Sequence, residues 1–362
     1  MKSSRNSNIE LLRIVGLFLI VLGHFAWQTN WNFNHTGIVL EVMVRSLWIG
    51  GKLGVNLFVL ISGYFLIKSK FKAKSFIRTW LMAYFYAVVV YVFSLVSGIN
   101  HFDLKQLLKS VFFVQFGYLN WFVTAYLIMY LLMPFINVLL KRLTHKQFLT
   151  LLSVLLLLSI NRTLFHNLSI GTNGNDAMWL IIVYCFGAYI RVYETRLKSL
   201  KPKFYYFSTL FWLFLAIASV FLITVFQKLK VFPNEKRLYG WFIDGFSPIQ
   251  LLLAVSIFVS ILYIKPYNRQ FINKIASTTF AIYLIHANLL IVDWLWNSLI
   301  RGFQYQQSYF VIIYGLLVSI AVFVICSGID IVRQQLFKNA EKLLVNHMAQ
   351  WKFWKFLEEF DK

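Results

Sequence analysis

Long apolar runs, separated by short polar or basic connections, make up most of the chain. Windows long enough to cross about 30 Å of hydrocarbon recur about ten times, at 9–28, 50–67, 77–97, 121–140, 147–161, 178–190, 204–226, 246–264, 277–298 and 308–329. No run alternates with the two-residue period of a strand, and a backbone in lipid must satisfy its own hydrogen bonds. The pattern therefore predicts an all-α polytopic membrane bundle of about ten transmembrane helices.

The composition indicates a membrane protein. It argues against a disulfide-rich domain, a zinc protein and a nucleic-acid-binding domain. Hydrophobic residues make up 59% of the chain and charged residues 13%, against about a quarter charged in soluble domains. Cys185 and Cys326 lie in apolar runs and support neither a disulfide framework nor a zinc site. The net charge is +22, and the Lys and Arg residues lie between the apolar runs instead of forming a basic domain. Membrane lipid is therefore the expected partner, and nucleic acid is not.

The distribution of Lys and Arg predicts the orientation. Alternate connections hold 24 of the 35 cations, the opposite connections hold ten, and Arg13 lies within the first run. The positive-inside rule then places both termini in the cytoplasm. We expect a multi-pass protein of a bacterial cytoplasmic membrane, with a membrane domain at 1–330 and an amphipathic cytoplasmic tail at 331–362. The first run lacks a small-residue cleavage site and is read as an uncleaved span.

Three ionisable residues, Glu10, Arg13 and His24, interrupt the first apolar run. Each costs roughly 2.5–3.5 kcal/mol in hydrocarbon on insertion scales. At about 100° per residue they share one helix face, with Arg13 and His24 about 16 Å apart along the axis. This stripe predicts a protein interior or a water-filled cavity. The alternative is a structural Glu10–Arg13 ion pair with an incidental histidine.

Other polar residues mark later runs. Asn56 and Ser62 lie in the second run, where close helix packing is the simpler explanation. The connection at 68–78 carries five cations. They are explained either by the positive-inside rule for cytoplasmic loops or by a binding site for a phosphate-bearing ligand. Trp121 fits an interfacial aromatic belt, and His286 lies near mid-membrane. No phosphate-binding glycine loop or metal-ligand pattern occurs in the sequence, so no metal is expected.

Together these positions resemble the acyltransferase-3 family of integral membrane acyltransferases, over about the first 290 residues. The matching residues are Glu10, Arg13, His24, Asn56, Ser62, Tyr64, Arg78, Trp121, Tyr283 and His286. The resemblance implies a ten-helix O-acyltransferase that moves an acyl group, usually acetyl, from cytoplasmic acyl-CoA to a hydroxyl of a cell-surface or lipid-linked glycan. It implies a stand-alone member, since no extracytoplasmic esterase-like domain follows the last span.

The resemblance also implies roles for individual residues. His24 would be the general base or a transient acyl carrier, and Glu10 would hold Arg13 near donor phosphate or a developing oxyanion. Lys74 and Arg78 would bind the phosphates of acetyl-CoA, although they are four residues apart where the family often has an Arg pair three apart. The expected substrate cavity residues are Asn56, Ser62, Tyr64, Trp121, Tyr283 and His286.

A different function remains open on the sequence. A glycan or lipid transporter would also line its path with polar residues, although the chain lacks the internal repeat and paired broken helices common in transporters. A membrane scaffold explains the basic connection but not Arg13 with His24. The acceptor, the acyl group and the oligomeric state are not identified, with a homo-oligomer as one option.

Overall fold

The chain folds into a helical bundle, seen in a computed structural model that describes residues 5–112, 121–164, 174–232 and 238–360. The described residues are 80% helical and include no strand. The helices are α1 (Ser7–Gln28), α2 (Ile38–Ser46), α3 (Ile49–Leu66), α4 (Ala73–Val96), α5 (Leu104–Val111), α6 (Trp121–Arg142), α7 (His145–Leu164), α8 (Ala177–Val192), α9 (Glu194–Leu197), α10 (Pro202–Lys228), α11 (Pro248–Leu262), α12 (Gln270–Ala276), α13 (Thr279–His286), α14 (Phe310–Met348) and α15 (Lys352–Phe360). Shorter helical turns cover Leu238–Ile243, Trp294–Ile300 and Gly302–Tyr305.

The all-α membrane architecture predicted from the apolar runs is confirmed. Seven helical segments within the described residues are long and apolar enough to span a membrane, counting α2 with α3 and the 238–243 turn with α11 as single segments. Two shorter apolar helices, α7 and α8, lie over the fifth and sixth predicted windows. The count of ten spans and the cytoplasmic placement of both termini stay predictions.

The ninth predicted span, 277–298, differs from a continuous helix. Helix α13 ends at His286, and a π-helical turn begins only at Trp294. Between them the side chain of Asn288 accepts a hydrogen bond from the backbone N–H of Leu290 at 3.0 Å. An Asn side chain that bonds nearby backbone competes with the helix. The break leaves His286 at a helix end inside the bundle, where it is fully buried.

Helices α1, α3 and α8 form the centre of the bundle, because glycines let their backbones touch. A Cβ placed on Gly54 would overlap the carbonyl of Gly16, and one on Gly23 would lie 2.6 Å from the backbone nitrogen of Gly51. Gly63 meets the backbone of α8 in the same way. Small residues at crossings allow this approach in membrane bundles. The contact fixes how α1 and α3 face each other near His24.

The C-terminal part does not begin as a separate element at the predicted boundary, and its membrane-surface location stays a prediction. Helix α14 continues without a break through residue 331, where the tail was predicted to begin. Helix α15 then folds back, and its Trp354 and Leu357 are buried. The Trp354 ring lies 5.1 Å from the Phe76 ring and 6.4 Å from that of Phe71. Trp354 and Leu357 of α15 therefore pack on protein, while Phe353 and Phe356 stay exposed.

Three further hydrogen bonds hold basic connections in place at one end of the bundle. The backbone N–H of Ser7 donates to the carbonyl of Tyr267 at 2.8 Å, and Asn8 donates to the carbonyl of Lys265 at 3.0 Å. The carboxylate of Glu358 in α15 accepts from the backbone N–H of Ala73 at 2.9 Å. We call this the inner end, since the charge distribution predicts that it is cytoplasmic.

Candidate active site

Two histidines from distant parts of the chain meet at the centre of the bundle. His24 Nδ1 lies 3.0 Å from His286 Nε2. The other ring nitrogen of His286, Nδ1, lies 2.6 Å from the carbonyl oxygen of Ile282, one turn earlier in α13. Because a carbonyl oxygen only accepts, that carbonyl fixes His286 as the donor at Nδ1.

A cavity of about 390 Å³ lies beside this pair, lined by His24 but not by the buried His286. Such a volume falls within the range of small-molecule sites, about 300–1,000 Å³. Aromatic rings and one pair of opposite charges form much of the wall, namely Trp48, Trp121, Tyr283, Lys52 and Asp244. The cavity thus combines an imidazole, a fixed charge pair and apolar faces.

Lys52 is the cation of the described cavity lining, and no sequence pattern predicted a role for it. Its ammonium lies 3.3 Å from the carboxylate of Asp244 and also bonds the side-chain oxygen of Asn175. It sits over the rings of Trp121, at 5.1 Å, and Trp48, at 5.7 Å. Cation–π contacts and the carboxylate hold the side chain in place. Only its position after two glycines at the start of an apolar run could have singled it out.

Trp121 and Tyr283 also line the cavity. The Tyr283 ring centroid lies 6.4 Å from that of His24 and 6.1 Å from that of His286. It packs edge-on against Phe122 at 5.3 Å. Residues from α1, α3, α6 and α13 therefore converge on one space.

Comparison with known proteins decides what kind of protein carries this site. The family model of the acyltransferase domain matches residues 6–330, nearly the whole chain. The chain belongs to the acyltransferase-3 family. Searches of the curated proteins and of the solved structures found no match. The protein is thus a membrane acyltransferase, and the histidine pair and its cavity lie within the matched residues.

Two residues of this acyltransferase expected in the cavity lie elsewhere. Asn56 is fully buried and accepts from the indole N–H of Trp179 in α8 at 3.0 Å. Ser62 donates to the carbonyl of Phe58 at 3.0 Å and lies 3.3 Å from the hydroxyl of Tyr126. Neither lines the cavity beside His24. Both bond to neighbouring helices or to their own, as close packing of the second span predicts.

Tyr64, another expected cavity residue, belongs to a polar cluster at the inner end. Its hydroxyl donates to the carboxylate of Glu194 at 2.6 Å and accepts from Arg191 at 2.8 Å. Lys198 also donates to Glu194, at 2.8 Å. Burial alone would raise the pKa of Glu194, but the hydrogen bonds from Lys198 and Tyr64 outweigh it and lower the pKa. The cluster joins α3 to α8 and α9.

Glu10 and Arg13 form the ion pair expected from their spacing. Nη1 of Arg13 lies 3.2 Å from each carboxylate oxygen of Glu10. The side chain of Arg13 is 31% exposed and that of Glu10 only 10%. Neither residue lines the cavity beside His24. The polar face of α1 therefore has two separate parts, an ion pair near the inner end and an imidazole at the cavity.

The two cations expected to bind the donor both contact α14. Arg78 Nε lies 3.1 Å from a carboxylate oxygen of Glu341, and its side chain remains 57% exposed. The ammonium of Lys74 donates to the side-chain oxygen of Asn346 at 2.8 Å. No sequence pattern predicted these partners, which lie more than 260 residues further along the chain.

Proposed function

We propose that this acyltransferase moves an acetyl group from acyl-CoA on the cytoplasmic side of a bacterial cytoplasmic membrane to a hydroxyl of a cell-surface or lipid-linked glycan. The observation that carries the proposal is the 3.0 Å contact between His24 and His286 at the cavity. A sugar hydroxyl is a weak nucleophile at neutral pH, and its attack needs a positioned base.

The hydrogen bonds of the pair favour His24 as that base. In the neutral pair, His286 donates from Nδ1 to the carbonyl of Ile282, so its Nε2 accepts from Nδ1–H of His24. The proton of His24 is then on Nδ1, and its Nε2 keeps a lone pair. A carboxylate sets the tautomer of a catalytic histidine in the same way in serine hydrolases. A neutral imidazole replaces the carboxylate here.

The reaction can be written with its atoms balanced. His24 Nε2 takes the proton of the glycan hydroxyl while the hydroxyl oxygen attacks the thioester carbonyl. The tetrahedral intermediate expels the thiolate of coenzyme A, which takes the proton from His24. The positive charge of Lys52 supports this step by stabilising negative charge on the thioester oxygen. The transfer forms one oxygen ester and breaks one thioester.

Donor binding is proposed for the cations at the inner end. Arg13, held by Glu10, together with Lys74 and Arg78, would bind the phosphates of acyl-CoA. The 57% exposure of the Arg78 side chain supports this role. In the structure Arg78 forms an ion pair with Glu341. To bind a phosphate of acyl-CoA, Arg78 would have to exchange the Glu341 carboxylate for that phosphate.

A glycan assay in cells tests the proposal. Cells that express the intact chain should show an O-acetyl signal in the NMR spectrum of their surface glycans, and cells that express His24→Ala should lose it. His35→Ala is the matched control, because His35 is an exposed loop histidine. An undiminished signal in His24→Ala, with equal membrane levels of both variants, would rule out His24 as the base.

A further inference from the structure

A second cavity lies beside the first and is larger, at about 1,030 Å³. It is formed by the outer ends of α1, α2 and α10 and by the helical turn at Leu238–Ile243. We call it the outer groove, after the predicted orientation. Its volume is at the upper limit for small-molecule sites, so it has room for more than a single sugar ring.

The described lining of the outer groove carries three cations and one carboxylate. Glu41 pairs with Arg45 at 2.6 Å and with Lys228 at 3.0 Å. Lys230 lines the groove, is exposed, and makes no ion pair with any described residue. One carboxylate cannot neutralise all three cations, so the described lining of the groove has a net positive charge and favours an anionic ligand.

The buried cation of this cluster, Arg45, has several side-chain partners. Arg45 is only 7% exposed and donates to Gln227 at 2.8 Å and to Thr224 at 3.1 Å. Its guanidinium lies 4.9 Å from the ring centroid of Tyr239. Burying a guanidinium requires this many partners. The side chain of Arg45 is therefore held in place without a ligand.

Aromatic rings connect the outer groove to the histidine cavity. Trp27 lines both cavities. It stacks on Trp48 at 4.2 Å with an interplanar angle of 17°, and Trp48 in turn stacks on His24 at 6.3 Å. Trp31 adds a further ring to the groove, oriented by its N–H bond to the carbonyl of Ala26 at 2.7 Å. Flat aromatic faces suit the C–H faces of sugar rings.

We infer that the outer groove binds an acidic stretch of the acceptor glycan, while the sugar that receives the acyl group lies beside His24. The inference rests on the proposed function and makes it more specific, because it assigns the acceptor a negative charge. Trp27 separates the two sites, so sugar rings in the groove would adjoin the reacting sugar. Lys230 supplies the cation with no protein partner among the described residues.

Binding of defined oligosaccharides to the full chain in lipid nanodiscs tests the inference, with no acyl-CoA present. The probes are tetragalacturonate, which is acidic, and maltotetraose, which has the same number of rings and no charge. We expect calorimetry to give a Kd about tenfold lower for tetragalacturonate than for maltotetraose, since two exposed charge pairs together contribute about that factor. The difference should shrink with added salt.

Three variants locate the site. Lys230→Gln should weaken tetragalacturonate binding about two- to fivefold, as expected for one exposed ion pair, and leave maltotetraose unchanged. Lys105→Gln is the matched control, because Lys105 is also exposed on the predicted outer side but does not line the groove. His24→Ala, which removes the proposed base, should keep the preference for tetragalacturonate over maltotetraose, so the charge preference is independent of acyl transfer.

Three outcomes would overturn the inference. The first is equal affinity for the two probes, and the second is no binding of tetragalacturonate. The third is an equal loss in Lys230→Gln and Lys105→Gln, which would reduce the effect to general surface charge. The two measurements fail separately. If tetragalacturonate binds as expected but the intact chain acetylates no glycan, the proposed function is wrong; if acetylation occurs but the charge preference is absent, the inference is wrong.

Discussion

The substitution His286→Phe keeps a ring at the end of α13 but removes both hydrogen bonds of His286. These are the 2.6 Å bond to the carbonyl of Ile282 and the 3.0 Å bond with His24. Without an acceptor for its Nδ1 proton, His24 loses the partner that sets its tautomer and ring orientation. We therefore expect acyl transfer to slow although His24 itself is unchanged.

The size of the effect follows from the charge that His24 acquires. When His24 takes the hydroxyl proton, its bond to His286 becomes a bond from a cation, which contributes about 1.5–3 kcal/mol. Since 1.36 kcal/mol is tenfold in rate, kcat should fall about 10- to 150-fold. KM should change little, because the stronger bond exists only near the transition state.

The assay is release of coenzyme A thiol by the full chain in proteoliposomes, supplied with acetyl-CoA and acceptor glycan. His286→Gln is the conservative variant, because its amide can donate to Ile282 and accept from His24 at the same time. It should retain more activity than His286→Phe. In a His24→Ala background, His286→Phe should cause no further loss, since the two residues act as one unit.

A multiplicative loss in the double variant would refute this reasoning, because it would mean that the histidines act independently. Since His286 is fully buried, a drop in Tm of His286→Phe would leave folding as a competing explanation. The comparison with His286→Gln then decides the question. Equal activity of the Gln and Phe variants would show that hydrogen bonding to His24 has no part in the rate.

Three further predictions concern the cavity, the central crossing and the tail. Lys52→Met should lower kcat/KM about tenfold by removing the only described cation of the cavity lining, and an unchanged value would exclude Lys52 from the reaction. Gly54→Ala should lower the free energy of unfolding by about 1–3 kcal/mol, since the added Cβ would overlap the carbonyl of Gly16. The control Gly37→Ala should leave the free energy of unfolding unchanged, because there is open space around Gly37. Trp354→Ala should release α15 from α4 and speed hydrogen exchange in residues 352–360, and unchanged exchange would show that the ring does not hold the tail.

Most of the helical framework could be predicted because apolar runs of membrane length have few other structures available. The ninth window shows the limit of that reasoning. Its hydropathy is continuous, but the side chain of Asn288 bonds to nearby backbone and the helix ends at His286. Hydropathy averages over such local bonds. The tail shows a similar limit, because the composition of α15 did not indicate that its Trp354 would pack on Phe71 and Phe76.

The site was only partly accessible from the sequence. His24 and His286 could be identified singly as costly residues in apolar runs, but nothing in the pattern joins two residues 262 positions apart. Lys52 counted as one more outer cation, because its partners Asn175 and Asp244 are distant in sequence. The spacing of Arg13 and His24 on α1 predicted that both lie on one helix face. The spacing did not show that His24 lines the cavity and Arg13 does not.

The division of α1 constrains how a donor could reach His24. The glycine contacts hold α1 against α3, so Arg13 and His24 remain about 16 Å apart along the axis. Acyl-CoA carries its thioester at the end of an extended arm, far from its phosphates. A donor held at the inner end by Arg13 and Arg78 could therefore present its thioester deeper in the bundle without any movement of α1. The acceptor would then meet it from the outer side, where Trp27 joins the groove to the histidine cavity.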